Sequence, residues 1–277
     1  MKVNLIKMDK IKLVIVGNIA HDINTYIKDK KKFTVINNGG AGYYSLIPAS
    51  LYIKTGIVAK VGNDFDMHYL NSNNIDKRCL KVISTSKTTK FHHTYLSKDG
   101  QQRTFRPEIY EDTMININDF NPCYFDAEYI HVSTNFPSMQ KKFIEYIRKN
   151  SKAKISIDTH EAYVEMYPNL VLEVFNMVDI AFIDKEFKSL YNCKAEVKIF
   201  KQGRNGCKYV SNNKTFNALV KEKEVVDKTG AGDVVAGVFL AKMALGFSEE
   251  ESLQEAVNVA TISISNYGVE FLTMEDI

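Results

Sequence analysis

Short apolar runs that stop at a glycine, with helix-period stretches between them, limit the architectures open to this chain. Lys12 to Val16 (KLVIV) stops at Gly17, Ala41 to Lys54 has helical periodicity, and Ile57 to Val61 stops at Gly62-Asn63-Asp64. Such runs suit buried strands. Strand, helix and strand in that order suggest a parallel sheet with helical crossovers. The alternation continues with strands expected at Tyr129 to Ser133, Ala153 to Ile157, Asp179 to Ile183 and Val197 to Phe200, and helices around Met139 to Lys149 and Lys185 to Tyr191. Arg204-Asn205-Gly206 turns the last of these strands into another at Cys207 to Val210. After Asp227 the pattern predicts helices over about Ala231 to Leu245 and Glu249 to Asn266, with Gly246 between them as a C-terminal cap.

Two segments break this alternation. Ile23 to Ile36 (INTYIKDKKKFTVI) alternates around a charged middle and ends at Asn38-Gly39-Gly40, as an exposed hairpin would. Lys90 to Leu96 and Gln102 to Phe105 flank Asp99-Gly100, a strong hairpin-turn pair. The expected organisation is one α/β domain over residues 1–277, carrying a small β appendage made of insertions at about 22–38 and 88–106. A chain of 277 residues that is 45% hydrophobic has enough material for a substantial core.

Composition removes several function classes. The net charge of +3 comes from acids and bases mixed along the chain, which does not argue for nucleic acid, and Lys28 to Lys32 reads as a solvated loop. Cys79, Cys123, Cys193 and Cys207 are widely spaced, which suits reduced thiols in a cytoplasmic protein. His92 and His93 are neighbours that a strand would point to opposite faces, so no structural zinc site is expected. Lys2, Lys7, Lys10 and Lys12 interrupt the first apolar stretch, and no segment approaches the ~20 apolar residues of a membrane span.

The stretch with the most chemistry is Val225 to Phe239, VVDKTGAGDVVAGVF. Small residues let a ligand approach the backbone, and the free N–H groups of a helix's first turn form an anion site reinforced by the helix dipole. A carboxylate beside such a cradle, Asp233, is poorly placed to bind phosphate but well placed to take a proton from a hydroxyl attacking it. A capped helix start, with Asp233 favourable to the dipole, is the structural alternative. No Gly-Lys-Ser/Thr occurs in the chain, so this is not a Walker loop, and the missing third glycine excludes a dinucleotide fingerprint.

Asp227 to Asp233 (DKTGAGD) resembles the D-T-x-G-A-G-D signature of the ribokinase-like sugar and nucleoside kinases of the PfkB group, departing from it at Lys228. The resemblance runs through nearly the whole chain. Gly17 to Asp22 looks like the family's first-strand substrate motif, Gly39-Gly40-Ala41-Gly42 like its di-glycine motif at a lid hinge, Val61 to Asp64 like V-G-x-D, and Gln202 to Gly206 like its nucleotide-side G-x-x-G hairpin. The resemblance implies a three-layer α/β/α domain with a mostly parallel central sheet and a small β lid. It makes Asp233 the general base and the Gly230, Ala231 and Gly232 amides an anion hole, with ATP and Mg²⁺ supplying the phosphoryl group. Asp22, Gly39, Gly40, Tyr44 and Arg103 would face the acceptor. Lys201, Gly203 and Gly206 would face the nucleotide, with Asn258 beside the adenine. Some relatives bind a monovalent cation, such as K⁺, near the aspartate equivalent to Asp227, and lid strands of relatives often pair across a homodimer.

Three departures stand out. Tyr44 occupies the place of an Asn that contacts substrate, Lys228 that of a small residue, and Asp184-Lys185-Glu186-Phe187 that of N-x-x-E, leaving Asp184 and Glu186 as metal-side candidates. Asp158, which ends a strand, can serve a ligand or cap a helix. The expected activity is ATP-dependent phosphorylation of a hydroxyl, a primary one, on a small sugar, polyol or nucleoside. A kinase of a hydroxymethyl heterocycle and a non-catalytic binding protein of the same fold are the rivals.

Overall fold

The computed structural model describes residues 10–28, 31–96, 103–221 and 223–275. The Asp99-Gly100 turn, the centre of the Lys28 to Lys32 run and the first lysines lie outside the described residues.

In chain order the elements are β1 (Leu13–Val16), β2 (Ala20–Lys28), β3 (Lys31–Gly39), α1 (Ala41–Tyr52), β4 (Thr55–Gly62), β5 (Ile75–Ile83), β6 (Lys90–Tyr95), β7 (Arg103–Glu108), β8 (Tyr129–Val132) and α2 (Pro137–Asn150). They continue with β9 (Lys154–Ile157), α3 (Glu161–Met166), α4 (Pro168–Phe175), β10 (Ile180–Asp184), β11 (Val197–Lys201), β12 (Cys207–Val210), β13 (Thr215–Ala218), α5 (Ala231–Ala244) and α6 (Glu249–Ser263). Nine strands form one sheet in the order β13-β12-β11-β10-β9-β8-β1-β4-β5. The ladders from β11 through β8 and β1 to β5 are parallel, and only β12 and β13 run antiparallel at one edge.

The strands are short and continuously apolar because both faces of the sheet are covered. In β1, Leu13 and Ile15 join one core with α1, α5 and α6, whereas Val14 and Val16 join the opposite core with α2 and α4. The layers are therefore helix, sheet, helix. Helix α5 is buried along Val234 to Ala241 and packs between α1 and α6. That contact needs Gly237: a Cβ there would fall 2.1 Å from the Ser45 carbonyl oxygen.

The two irregular segments form a second sheet, β3-β2-β6-β7. Each hairpin is antiparallel, and the two join through a parallel β2–β6 ladder in which Asp22 pairs with Phe91 and Asn24 with His93. With a side-chain period of two, Asp22, Asn24, Tyr26, Phe91, His93, Tyr95, Phe105 and Pro107 fall on one face of this sheet.

Some local expectations fail. The helix expected at Lys185 to Tyr191 is only a 3-10 turn over Lys188–Leu190, because Phe187 (φ −85, ψ 59) leaves helical conformation and the chain turns tightly back after Asp184. Strand β5, whose IDKRCLKVI sequence mixes charges into an edge position, was not expected, nor were β13, α3 and α4. Other boundaries move by a few residues.

Replacing Gly237 with Ala should destabilise the protein by about 3 kcal/mol, the upper part of the usual cost of overpacking, because the clash is with backbone that cannot swing away. Urea unfolding measures this directly, and a parent-like midpoint would contradict the close crossing of α1 and α5.

Candidate active site

The parallel strands end along one edge, and their last residues, Asp158 after β9, Asp184 at the end of β10 and Lys201 at the end of β11, meet the start of α5 there. Together with the inner face of the small sheet they line a cleft of about 300 Å³. This is the edge at which open α/β sheets bind ligands.

The glycine turn forms the cleft's lip. Gly230 is left-handed (φ 76) and precedes α5, and a Cβ on it would lie 2.2 Å from Cγ of Tyr44. Glycine is required here both for conformation and for contact with the Tyr44 ring. The Ala231 amide donates to the Lys228 carbonyl at 3.2 Å, so it is engaged within the turn. The opening turn still presents Gly232 and Asp233, whose amides lie too early in the helix for an i−4 acceptor of helical geometry.

Asp233 is half-buried on the cleft wall. Burial first, and then the nearby Asp158 carboxylate, push its pKa well above the usual carboxylate range, opposed by Lys201. Asp158 is buried, with one oxygen accepting from Lys201 Nζ at 2.6 Å and the other from the Thr159 amide at 2.8 Å. Burial raises the Asp158 pKa to about 6 despite the ammonium beside it. Lys201 Nζ is also 3.6 Å from Asp184. Burial would lower the Lys201 pKa, but Asp158 and Asp184 outweigh it and hold the ammonium charged.

Across the cleft, Asp22 is 1% exposed and accepts a 2.8 Å hydrogen bond from the Tyr44 hydroxyl, while its other oxygen has no hydrogen-bond partner. A Cβ on Gly39 would fall 2.3 Å from the Asp22 carboxyl carbon, so glycine is what admits the carboxylate. Burial raises the Asp22 pKa to about 7; the Tyr44 hydrogen bond opposes this and the charge of Asp227 adds to it.

A carboxylate at the mouth of a glycine-rich helix start, faced by a second buried carboxylate under a β cover, is a phosphoryl-transfer geometry. A family model for the pfkB family of carbohydrate kinases matches residues 10–276. The chain belongs to that family. It is 25% identical to a cytidine kinase of Thermococcus kodakarensis, covering 89% of this chain and 92% of the relative. It is 24% identical to a nucleoside kinase of Methanocaldococcus jannaschii, covering 88% and 87%. A ribokinase II-type protein of E. coli, solved in complex with ATP and Mg²⁺, superposes with a TM-score of 0.76 at 20% identity over 94% of each chain. The fold is ribokinase-like, with the expected mostly parallel central sheet and a separate small sheet of two antiparallel hairpins joined in parallel.

In this PfkB kinase, Asp22, Gly40, Tyr44, Asp184, Lys201, Lys228 and residues 230–233 all line the cleft. Gly39 stands behind Asp22. Glu186 is 62% exposed on its side chain and lies 3.7 Å from Lys185, away from the cleft lining. Gly203 (φ 59) and Gly206 (φ 77) shape the turn between β11 and β12, and Asn258 on α6 accepts from Gln254; none of the three lines this cleft. Arg103 begins β7, and its side chain lies outside what is described. Asp227 is buried and organises the turn: it accepts from the Thr229 amide (2.9 Å), the Thr229 hydroxyl (2.6 Å) and the Asn24 amide (3.2 Å).

Sequence reasoning missed Asn24 and the aromatic wall. Asn24 stands two residues after Asp22, so strand periodicity alone could have placed it on the same face. Phe105 lies 5.1 Å from His93 within the lid sheet and 5.0 Å from His160 across the cleft, a meeting of residues with no local signal.

A folded-state pKa above the unfolded value makes an acid bind more protons when folded, so stability falls as pH rises from about 4 to 7 and the cost is full above that. Asp22→Asn should therefore raise stability by about 1–3 kcal/mol at pH 8 and leave it nearly unchanged at pH 4. Thermal unfolding at the two pH values checks this; equal effects at both would show that burial does not raise the Asp22 pKa.

Proposed function

We propose that this chain is an ATP-dependent kinase that phosphorylates the primary hydroxyl of a nucleoside. The observation that carries the reading is that the aromatic wall of Phe91, His93, Phe105 and His160 and the Asp233 carboxylate line the same cleft. Stacking surfaces suit a flat base, and the carboxylate suits its sugar. The names of the cytidine and nucleoside kinase relatives support the same class.

The steps follow from the placement. Asp22 accepts a hydrogen bond from an acceptor hydroxyl, and Asp233 takes the proton of the reacting one as its oxygen bonds to phosphorus. The bond from phosphorus to the ADP oxygen breaks, with developing charge met by the first-turn amides of α5 and by Lys201. Burial and the nearby Asp158 raise the Asp233 pKa, which favours its holding the proton taken from the hydroxyl. Asp184 would hold a divalent cation such as Mg²⁺, which would neutralise charge on the polyphosphate. The small sheet acts as a lid that excludes water. Its outward face exposes Ile27 (42%) and Ile36 (67%), the surface through which two lids would pair in a homodimer. A monovalent cation would bind near the Asp227 turn, and the free cysteines would suit a cytoplasmic enzyme.

ADP release measured with matched panels of nucleosides, sugars and polyols tests the acceptor class. Release with nucleosides is expected, and release with sugars alone would end the nucleoside reading. Asp233→Asn should lower kcat by about 10³-fold, within the range of general base catalysis, while leaving nucleotide binding near parental and the unfolding midpoint at neutral pH parental or higher. Near-parental turnover in that variant would mean the base lies elsewhere.

A further inference from the structure

Lys201 is the cation at the centre of this site, and neither its charge nor its depth is required by the sheet it ends. Its side chain is 10% exposed, with Nζ 2.6 Å from Asp158 and 3.6 Å from Asp184. A Cβ on Gly232 would meet Lys201 Nζ at 2.9 Å, Cδ at 3.3 Å and Cε at 3.5 Å, so the ammonium lies directly against the start of the 14-residue helix α5. Three carboxylates, Asp158, Asp184 and Asp233, line the cleft around it. A buried ion pair seldom stabilises a fold better than a well-packed apolar pair would, which makes a purely structural purpose a poor account of this cluster. Beside Asp158, Thr159 also lines the cleft, and its hydroxyl is buried without a hydrogen-bond partner. An unmet polar group next to a charged one is what a ligand with several acceptor oxygens would complete.

We propose that Lys201 is a phosphate-sensing catalytic residue: Asp158 holds its ammonium in the nucleotide-free protein, and the ammonium turns to the terminal phosphate of the nucleotide when that phosphate seats at the start of α5. An ammonium on a flexible stem with three donors can make this exchange without losing Asp158 entirely. Asp158 is then a positioning residue, keeping the charge at the cleft floor instead of in solvent. The exchange also separates the terminal phosphate from Asp158, Asp184 and Asp233, whose negative charges would otherwise repel it. The inference rests on the kinase reading above and adds to it the group that distinguishes a nucleoside triphosphate from a diphosphate.

Calorimetry with the β,γ-imido analogue of ATP and with ADP, both with Mg²⁺, separates the possibilities. Lys201→Met should weaken analogue binding by about 10- to 100-fold, the scale of a charged hydrogen bond, and ADP binding by less than about 3-fold. That variant leaves Asp158 buried without its partner and is expected to lose stability, so the double variant Lys201→Met/Asp158→Asn supplies a control in which the carboxylate charge is gone too. The double variant should regain the unfolding midpoint and keep the analogue-binding defect. If instead it recovers parental affinity for the analogue, or if Lys201→Met weakens both nucleotides equally, Lys201 serves only to neutralise Asp158 or to hold the fold and the proposal is wrong. Failure of the parental protein to bind either nucleotide would overturn the kinase reading itself, a different result from loss of discrimination in the variants.

Discussion

The contact on which the site depends is the one Tyr44 makes on both sides. Its hydroxyl donates to Asp22, on the strand that leads into the lid, and its ring lies against the Cα of Gly230, at the start of α5. One fully buried side chain from α1 therefore sets the spacing between the Asp22 carboxylate and the start of α5. Phosphoryl transfer is sensitive to such spacing, since positioning supplies much of its catalysis. A tyrosine at this point also explains two glycines: Gly230 has no room for a side chain because of the ring, and Gly39 none because of the carboxylate that the hydroxyl holds.

Charge is the second constraint. The cleft gathers the four carboxyl groups of Asp22, Asp158, Asp184 and Asp233 with the two amines of Lys201 and Lys228. Burial and mutual repulsion hold Asp22, Asp158 and Asp233 above the ordinary carboxylate range. This arrangement costs stability in the empty protein and favours neighbouring cations. The Asp158–Lys201 pair meets that preference internally, and the fold places it where the polyphosphate of a nucleotide would meet it.

Much of the site was legible where the chemistry is local. The DKTGAGD stretch identified Asp233 because a glycine turn, a helix start and a carboxylate are neighbours in sequence. The two hairpins declared themselves by breaking the strand–helix alternation. Strand β5 was not legible because an edge strand covered on one side reads as a mixed, charged segment, and the expected helix after Asp184 failed because propensity lost to a tight return of the chain. Glu186 was a candidate by proximity to a motif, but its one-residue offset turns it to solvent beside Lys185.

Sequence alone determined the strand and helix alternation, the two hairpin segments, the position of Asp233 beside the glycine turn and the family resemblance, since each rests on periodicity or on short local motifs. Only the tertiary structure decided which distant residues meet at the cleft: Asp158 with Lys201, Tyr44 with Gly230, Asn24 with Asp227, and Phe105 with His160. These pairs are brought together by the parallel sheet, which ends successive strands at one edge regardless of how many residues separate them. Their energies arise from burial and close contact, and neither exists until both faces of the sheet are covered.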